Sequence, residues 1–165
     1  MRCLLVILCS LWSQAVLAQG FAVHDLTKLS EDARSALGGD TAVQAQPLQL
    51  ILTCPNCEGA PKAALQLGRL TDGTESRIRS GKTTMGALET MCIQKNPDCR
   101  LTTLPAGPAV AWITSYAFGT GAGATAIVLR DGDLLTIDAR STDRGAAEDA
   151  VLRLAQKLLP RIVGR

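Results

Sequence analysis

Histidine is nearly absent: the 165 residues hold one, His24. A metal site built from several histidines is therefore excluded, and a Ser/His triad has a single candidate base. Aromatic residues make up 3% of the chain, as two Trp, two Phe and one Tyr, so each stands out where it occurs. Neither sign of charge dominates, with 17 Lys and Arg against 15 Asp and Glu. That balance argues against a dedicated nucleic-acid binder, which would show a strong basic excess. Long apolar runs are missing too: the run at residues 4–11 is too short to span a bilayer comfortably. No internal repeat, low-complexity tract or carboxylate pair at a recognisable catalytic spacing is found. What is present is a composition 47% hydrophobic and 19% charged, which is that of a folded chain. Its length suits one domain with a real core.

The chain opens on Met1 and Arg2, continues with the apolar run and reaches Ala15-Val16-Leu17-Ala18-Gln19. Val16 and Ala18 are accepted at −3 and −1 of an export cut after Ala18, so residues 1–18 are expected to be a cleaved signal peptide, with a retained N-terminal anchor as the alternative. A lipid anchor would need cysteine at the position held by Gln19. Cys3 and Cys9 leave with the signal. Cys54, Cys57, Cys92 and Cys99 stay, and an even number in an exported protein implies disulfides. Of three pairings, Cys54–Cys57 with Cys92–Cys99 is preferred, because each pair is close along the chain. The expected location is periplasmic or secreted.

Residues 19–46 read as an N-terminal helix and a linker. Leu26, Leu29, Ala33 and Leu37 recur at helical spacing, Gly38-Gly39 ends the pattern, and 41–46 is the linker. Residues 47–165 read as a single domain. Leu48, Leu50 and Leu52 share one face of a strand over 48–53. Residues 62–70 fit strand or helix, and strand is favoured because the Asp72-Gly73 turn follows. A polar strand over 74–79 would then return. Thr83 and Thr84 offer N-caps for a helix through Ile93, with Met85, Leu88 and Cys92 as its buried stripe. Val110, Trp112, Thr114, Tyr116 and Phe118 share a strand face, with Trp112 expected to anchor the core. Residues 119–123 read as a flexible glycine loop. Two strands, 124–130 and 133–138, flank Asp131-Gly132, the strongest short hairpin signal. Ala147, Ala150, Val151, Leu154 and Leu158 mark a last amphipathic helix stopped by Pro160.

Cys54-Pro55-Asn56-Cys57 is the most specific motif. With the strand before it, and with the segment Thr125 to Gly132 and the last helix, it resembles the thioredoxin-like family. The resemblance implies a thiol–disulfide oxidoreductase using Cys54 and Cys57. That chemistry needs the first cysteine at a helix N-terminus, where the dipole stabilises thiolate. Gly59 and Pro61 interrupt such a helix, and the position matching the family's cis-proline is Ala124. The other reading is a permanently oxidised turn at a strand end. Reduced thiolates would suit soft Cu(I), but no nearby histidine completes a site. No metal or cofactor is expected.

Weaker motifs have plainer readings. Gly81-Lys82-Thr83 ends like a phosphate loop, but Ser76 stands where its leading glycine belongs. Gly119, Gly121 and Ala124 precede a strand, so no helix N-terminus is there to hold a pyrophosphate. Arg69, Arg77 and Arg79 on strand faces suggest an anion patch or a solvated face that blunts edge pairing. His24 is expected to be solvated, and Asp131 and Asp133 merely to flank a turn.

The expectation is an α+β domain: an antiparallel sheet of about five to six strands packed against two main helices, plus a short N-terminal helix. Its function is read as an exported, non-enzymatic binding or assembly module with two local disulfides, the thioredoxin-like oxidoreductase being the alternative. Tyr116 and Phe118, with Gly119 and Gly121 of the adjoining loop, are the candidate binding residues. The partner expected is another exported protein or envelope component, with no nucleic acid and no membrane span after cleavage.

Overall fold

The computed structural model describes residues 20–164, so the expected signal at 1–18 lies outside it. Alternating apolar residues and short turns build two antiparallel meanders. The first is β1 (Ala42–Gln46), β2 (Gln49–Thr53) and β3 (Lys62–Arg69). The second is β4 (Arg100–Thr103), β5 (Val110–Phe118), β6 (Gly121–Arg130) and β7 (Asp133–Ser141). Antiparallel pairing of β3 with β7 joins them into one seven-stranded sheet of order β1-β2-β3-β7-β6-β5-β4. The β6–β7 turn has Asp131 at φ +52° and Gly132 at φ +84°, the double left-handed pattern of a type I′ turn.

One face of the sheet carries Leu50, Leu52, Leu65, Val128, Leu135 and Ile137, all fully buried. A 3-10 turn (Leu26–Leu29), helix α1 (Ser30–Leu37) and helix α4 (Arg144–Ile162) cover it. Leu26, Leu29 and Ala33 join Ala147, Ala150, Val151, Leu154 and Leu158 in one core cluster. Each fully buried leucine there is worth about 1.5–3 kcal/mol. Alanines at Ala63, Ala139 and Ala124 face one another across three strands, which lets α4 approach closely. Asp143 caps α4, its side chain accepting the N–H of Ala146.

The class, the N-terminal helix, the strand at 62–69 and the last helix are as expected, and several details differ. The sheet has seven strands, and four α-helices are present among the described residues. The expected linker at 41–46 contains β1: its alternation, Val43 and Ala45 against Gln44 and Gln46, is short, and only Val43 packs partly on the core. Residues 74–79 are not a returning strand but helix α2 (Thr74–Arg79). Asp72 Oδ1 accepts the N–H of Thr74 at 2.9 Å, so Asp72-Gly73 starts a helix instead of a hairpin. Leu48 lies in the β1–β2 turn and is exposed.

Helix α3 (Met85–Lys95) is capped by Thr84 as expected, but Met85, Leu88 and Cys92 are only half-buried. It packs beside β4 on the face of the sheet away from α4, and with Leu101, Trp112 and Thr114 it lines a groove. Trp112 is thus buried outside the main core, which β5 reaches through Ala111 and Ile113. Pro160 does not stop α4, which runs on to Ile162. Residues 119–123 are no flexible loop: Gly119-Thr120 is a two-residue turn, closed by pairing of Phe118 with Gly121.

Candidate binding site at one end of the sheet

The strand register brings the ends of β3, β5, β6 and β7 to one end of the sheet. Lys62 pairs with Arg140, Arg140 with Gly123, and Gly123 with Tyr116. Side chains of this row point to the face opposite the core. Gly121 and Gly123 leave β6 bare there, and the aromatic rings of β5 lie across it. A Cβ on Gly123 would come within 2.8 Å of the Tyr116 ring, and one on Gly121 within 3.5 Å of the Phe118 ring. The two rings lie 6.2 Å apart, tilted by 47°. The Arg140 guanidinium sits 5.6 Å from the Phe118 centroid, within cation–π range. Phe118 stays 42% exposed, and Tyr116 is half-buried.

The opposite wall comes from the loop that follows the CxxC motif. Both expected disulfides, Cys54–Cys57 and Cys92–Cys99, are closed. Cys54 is 1% exposed and Cys57 half-buried. Residues 55–59 are turns and bends, and no helix starts at Cys54. The loop is held by backbone bonds from Cys54 N–H to Pro61 O at 3.1 Å and from Ala60 N–H to Cys57 O at 2.9 Å. Gly59 and Ala60 both have left-handed φ, at +68° and +44°. The Gly59 carbonyl accepts the Ser141 hydroxyl at 2.7 Å and the Thr142 N–H at 3.3 Å. An open groove of about 560 Å³ results, lined by Gly59, Ala60, Lys62, Phe118, the Gly119-Thr120 turn, Gly121 and residues 140–142.

Two segments that the sequence treats separately, the loop just after the CxxC turn and the aromatic–glycine hairpin, therefore meet at one groove. Sequence reading passes over Lys62 and Arg140. Each is one charged residue on an exposed strand face, and only the register makes them neighbours. On its other side Cys57 lines a smaller cavity of about 320 Å³, with Glu58, Asp149, Arg153 and the first turn of α4.

Other candidates resolve into structural contacts. Each arginine of the expected patch is paired with an acid: Arg69 with Asp133 at 2.9 Å, Arg79 with Glu75 at 2.7 Å, and Arg77 with Asp72 at 3.9 Å. Partial burial pushes the Glu75 pKa up. Arg79 and the N–H groups of Gly132 and Asp131 outweigh it and hold the carboxyl below its ordinary value of 4.5. After Gly81-Lys82-Thr83, the Thr84 hydroxyl accepts the Ala87 N–H at 3.2 Å, so the start of α3 is occupied by its own cap. His24 is exposed, yet its Nε2 lies 3.0 Å from Asp133 Oδ2. Asp133 is more than a turn flank: it is 5% exposed and also accepts the Phe21 N–H. Among the described residues, no group of three or more His, Cys, Asp or Glu is placed to hold a metal ion.

No family model matches the chain, and no curated protein matches it. What fold and site define is an α+β domain with one antiparallel sheet and two disulfides, which fit an oxidising compartment. Among the described residues no helix is long and apolar enough to cross a membrane.

Proposed function

We propose that the chain is an exported, non-enzymatic binding or assembly module, delivered to the periplasm or secreted after a cut behind Ala18. Its recognition surface is the groove at the end of the sheet. The observation that carries this reading is Phe118, a large apolar side chain left 42% exposed while Arg140 and Tyr116 fix its ring over a glycine-paved strand. Exposed, immobilised aromatics supply contact area at low entropy cost. The partner is another exported protein or an envelope component. The test is the double change Tyr116→Ala and Phe118→Ala. Partner binding should fall while the melting temperature stays within a few degrees, the shift of about 1 kcal/mol or less. A large loss of thermal stability would return both rings to a structural role.

One observation favours a second reading, a thiol–disulfide oxidoreductase. Cys57 is the less buried sulfur and faces a cavity shared with Gly145 and Ala146 in the first turn of α4. A helix start favours thiolate. Against it, the motif itself opens no helix. The reduction potential of Cys54–Cys57 separates the two, since structural disulfides lie below about −300 mV and catalytic ones above.

A further inference from the structure

We propose that the groove takes an acidic, extended peptide segment carrying an apolar side chain next to its carboxylates. This rests on reading the groove as the binding surface.

Lys62 and Arg140 are direct cross-strand partners, both exposed. Like charges directly opposite destabilise a sheet pair, so such a pair calls for an anion between its members. The protein itself supplies little. No acidic residue lines the groove. Among the described residues Lys62 has no ion pair. Arg140 has only Asp138, whose Oδ1 lies 3.6 Å from its Nε. The other Asp138 oxygen accepts the Thr125 hydroxyl at 2.9 Å. The Arg140 side chain makes no hydrogen bond among the described residues, so its planar fork can take a carboxylate.

The shape and the aromatic select a chain over a small anion. The groove is open to solvent, and its apolar anchor, Phe118, stands beside the second cation. Lys62 and Arg140 are one strand spacing apart, and Phe118, two residues along β5 from the Tyr116 of their row, brings its ring to 5.6 Å from the Arg140 guanidinium. Alternate side chains of an extended peptide lie on one side about 7 Å apart, a spacing within reach of the long Lys62 and Arg140 side chains and of the ring beside them. Carboxylates at i and i+2 then meet Lys62 and Arg140, and an apolar side chain at i+4 meets Phe118.

The probe is an acetylated, amidated heptapeptide of glycine and serine with glutamate at its second and fourth positions and leucine at its sixth. Its twin carries glutamine for glutamate, and inorganic phosphate is the small-anion arm. All are titrated calorimetrically into the full chain. The acidic peptide should bind, the twin about tenfold more weakly, and Lys62→Gln, Arg140→Gln and Phe118→Ala should each weaken it by about tenfold. Unliganded Lys62→Gln should melt no lower than the parent, which separates lost contact from misfolding. If both peptides bind equally and Phe118→Ala abolishes both, the surface stands and the acidic ligand falls. If the acidic peptide binds regardless of Phe118→Ala, both readings fall. Phosphate binding as tight as the peptide, or no peptide binding at about 1 mM, also overturns the proposal.

Discussion

Asp133 and Phe21 lie 112 residues apart, and the carboxylate of the first accepts the backbone N–H of the second at 2.8 Å. The same oxygen meets His24, and the other accepts Arg69 at 2.9 Å. Gly20 fits only because it lacks a Cβ, which would stand 2.1 Å from Asp133 Oδ2. A single buried acid thus pins the start of the described chain to the β6–β7 turn. Asp133→Ala leaves the buried Phe21 N–H without its acceptor, while Arg69 and His24 are largely exposed, and should cost about 1–3 kcal/mol in urea denaturation. A loss well under 1 kcal/mol would mean that packing of Phe21 alone holds the segment.

Glu75 ties α2 to that same turn, accepting Arg79 and the Gly132 N–H. Its folded pKa is lowered, so its contribution is fully present above its unfolded value near 4.5 and is lost as the pH falls through the folded one. Wild type should therefore outlast Glu75→Gln at pH 7 by about 1 kcal/mol or less, because solvent screens the pair. Paired melts should converge in strong acid. A gap that persists there would be steric.

Gly59 seats the CxxC loop against α4. It sits at φ +68°, and a Cβ there would lie 2.3 Å from Ser141 Oγ and 2.5 Å from Ala146 Cβ. Strain and overpacking together should make Gly59→Ala cost roughly 3 kcal/mol. Gly86 in α3 is the control. Its nearest neighbour to an added Cβ is 3.9 Å away, so Gly86→Ala should stabilise by about 0.5–1 kcal/mol. Equal effects at the two sites would contradict the packing described.

The disulfides close short loops, with sequence separations of 3 and 7. In the chain-entropy model they contribute about 2 and 2.5 kcal/mol. Cys54→Ser with Cys57→Ser should lower stability by that modest amount and leave partner binding largely intact. Efficient reduction of a model disulfide by wild type, abolished in this variant, would establish the oxidoreductase.

Local signals in the sequence carried much of the fold. Leu26, Leu29, Ala33 and Leu37 repeat at helical spacing and are buried as a stripe. Asp131-Gly132 has the left-handed pair that its turn requires. β1 gave a weaker signal, because Val43 and Ala45 alternate with Gln44 and Gln46 over only four residues and Val43 alone packs partly on the core. Asp72-Gly73 misled because Asp-Gly serves a hairpin and a helix start alike, and the outcome here depends on Thr74, Glu75 and Arg79. At the groove, Phe118 was visible as a scarce aromatic beside glycines. Lys62 with Arg140, and Asp133 with Phe21, were not. Each pairing exists only after two meanders have been joined through β3 and β7.

Helix α3 has eleven residues and buries none of them fully. Alone, a helix of that length is marginal in water. It is retained by the Cys92–Cys99 bridge, by Glu89 accepting the Leu101 N–H at 3.2 Å, and by the Asn96 side chain on the Ala117 carbonyl at 2.9 Å. The molecule should therefore open in two tiers. Amide protons of α3 exchange with solvent through a local event of low free energy, whereas those of β6 and β7 wait for global unfolding. Each local event bares Leu101 and Trp112 while the bridge keeps the helix within reach, so Trp112, the single tryptophan of a chain cut after Ala18, reports it as quenching by a dissolved collider far below the melting temperature.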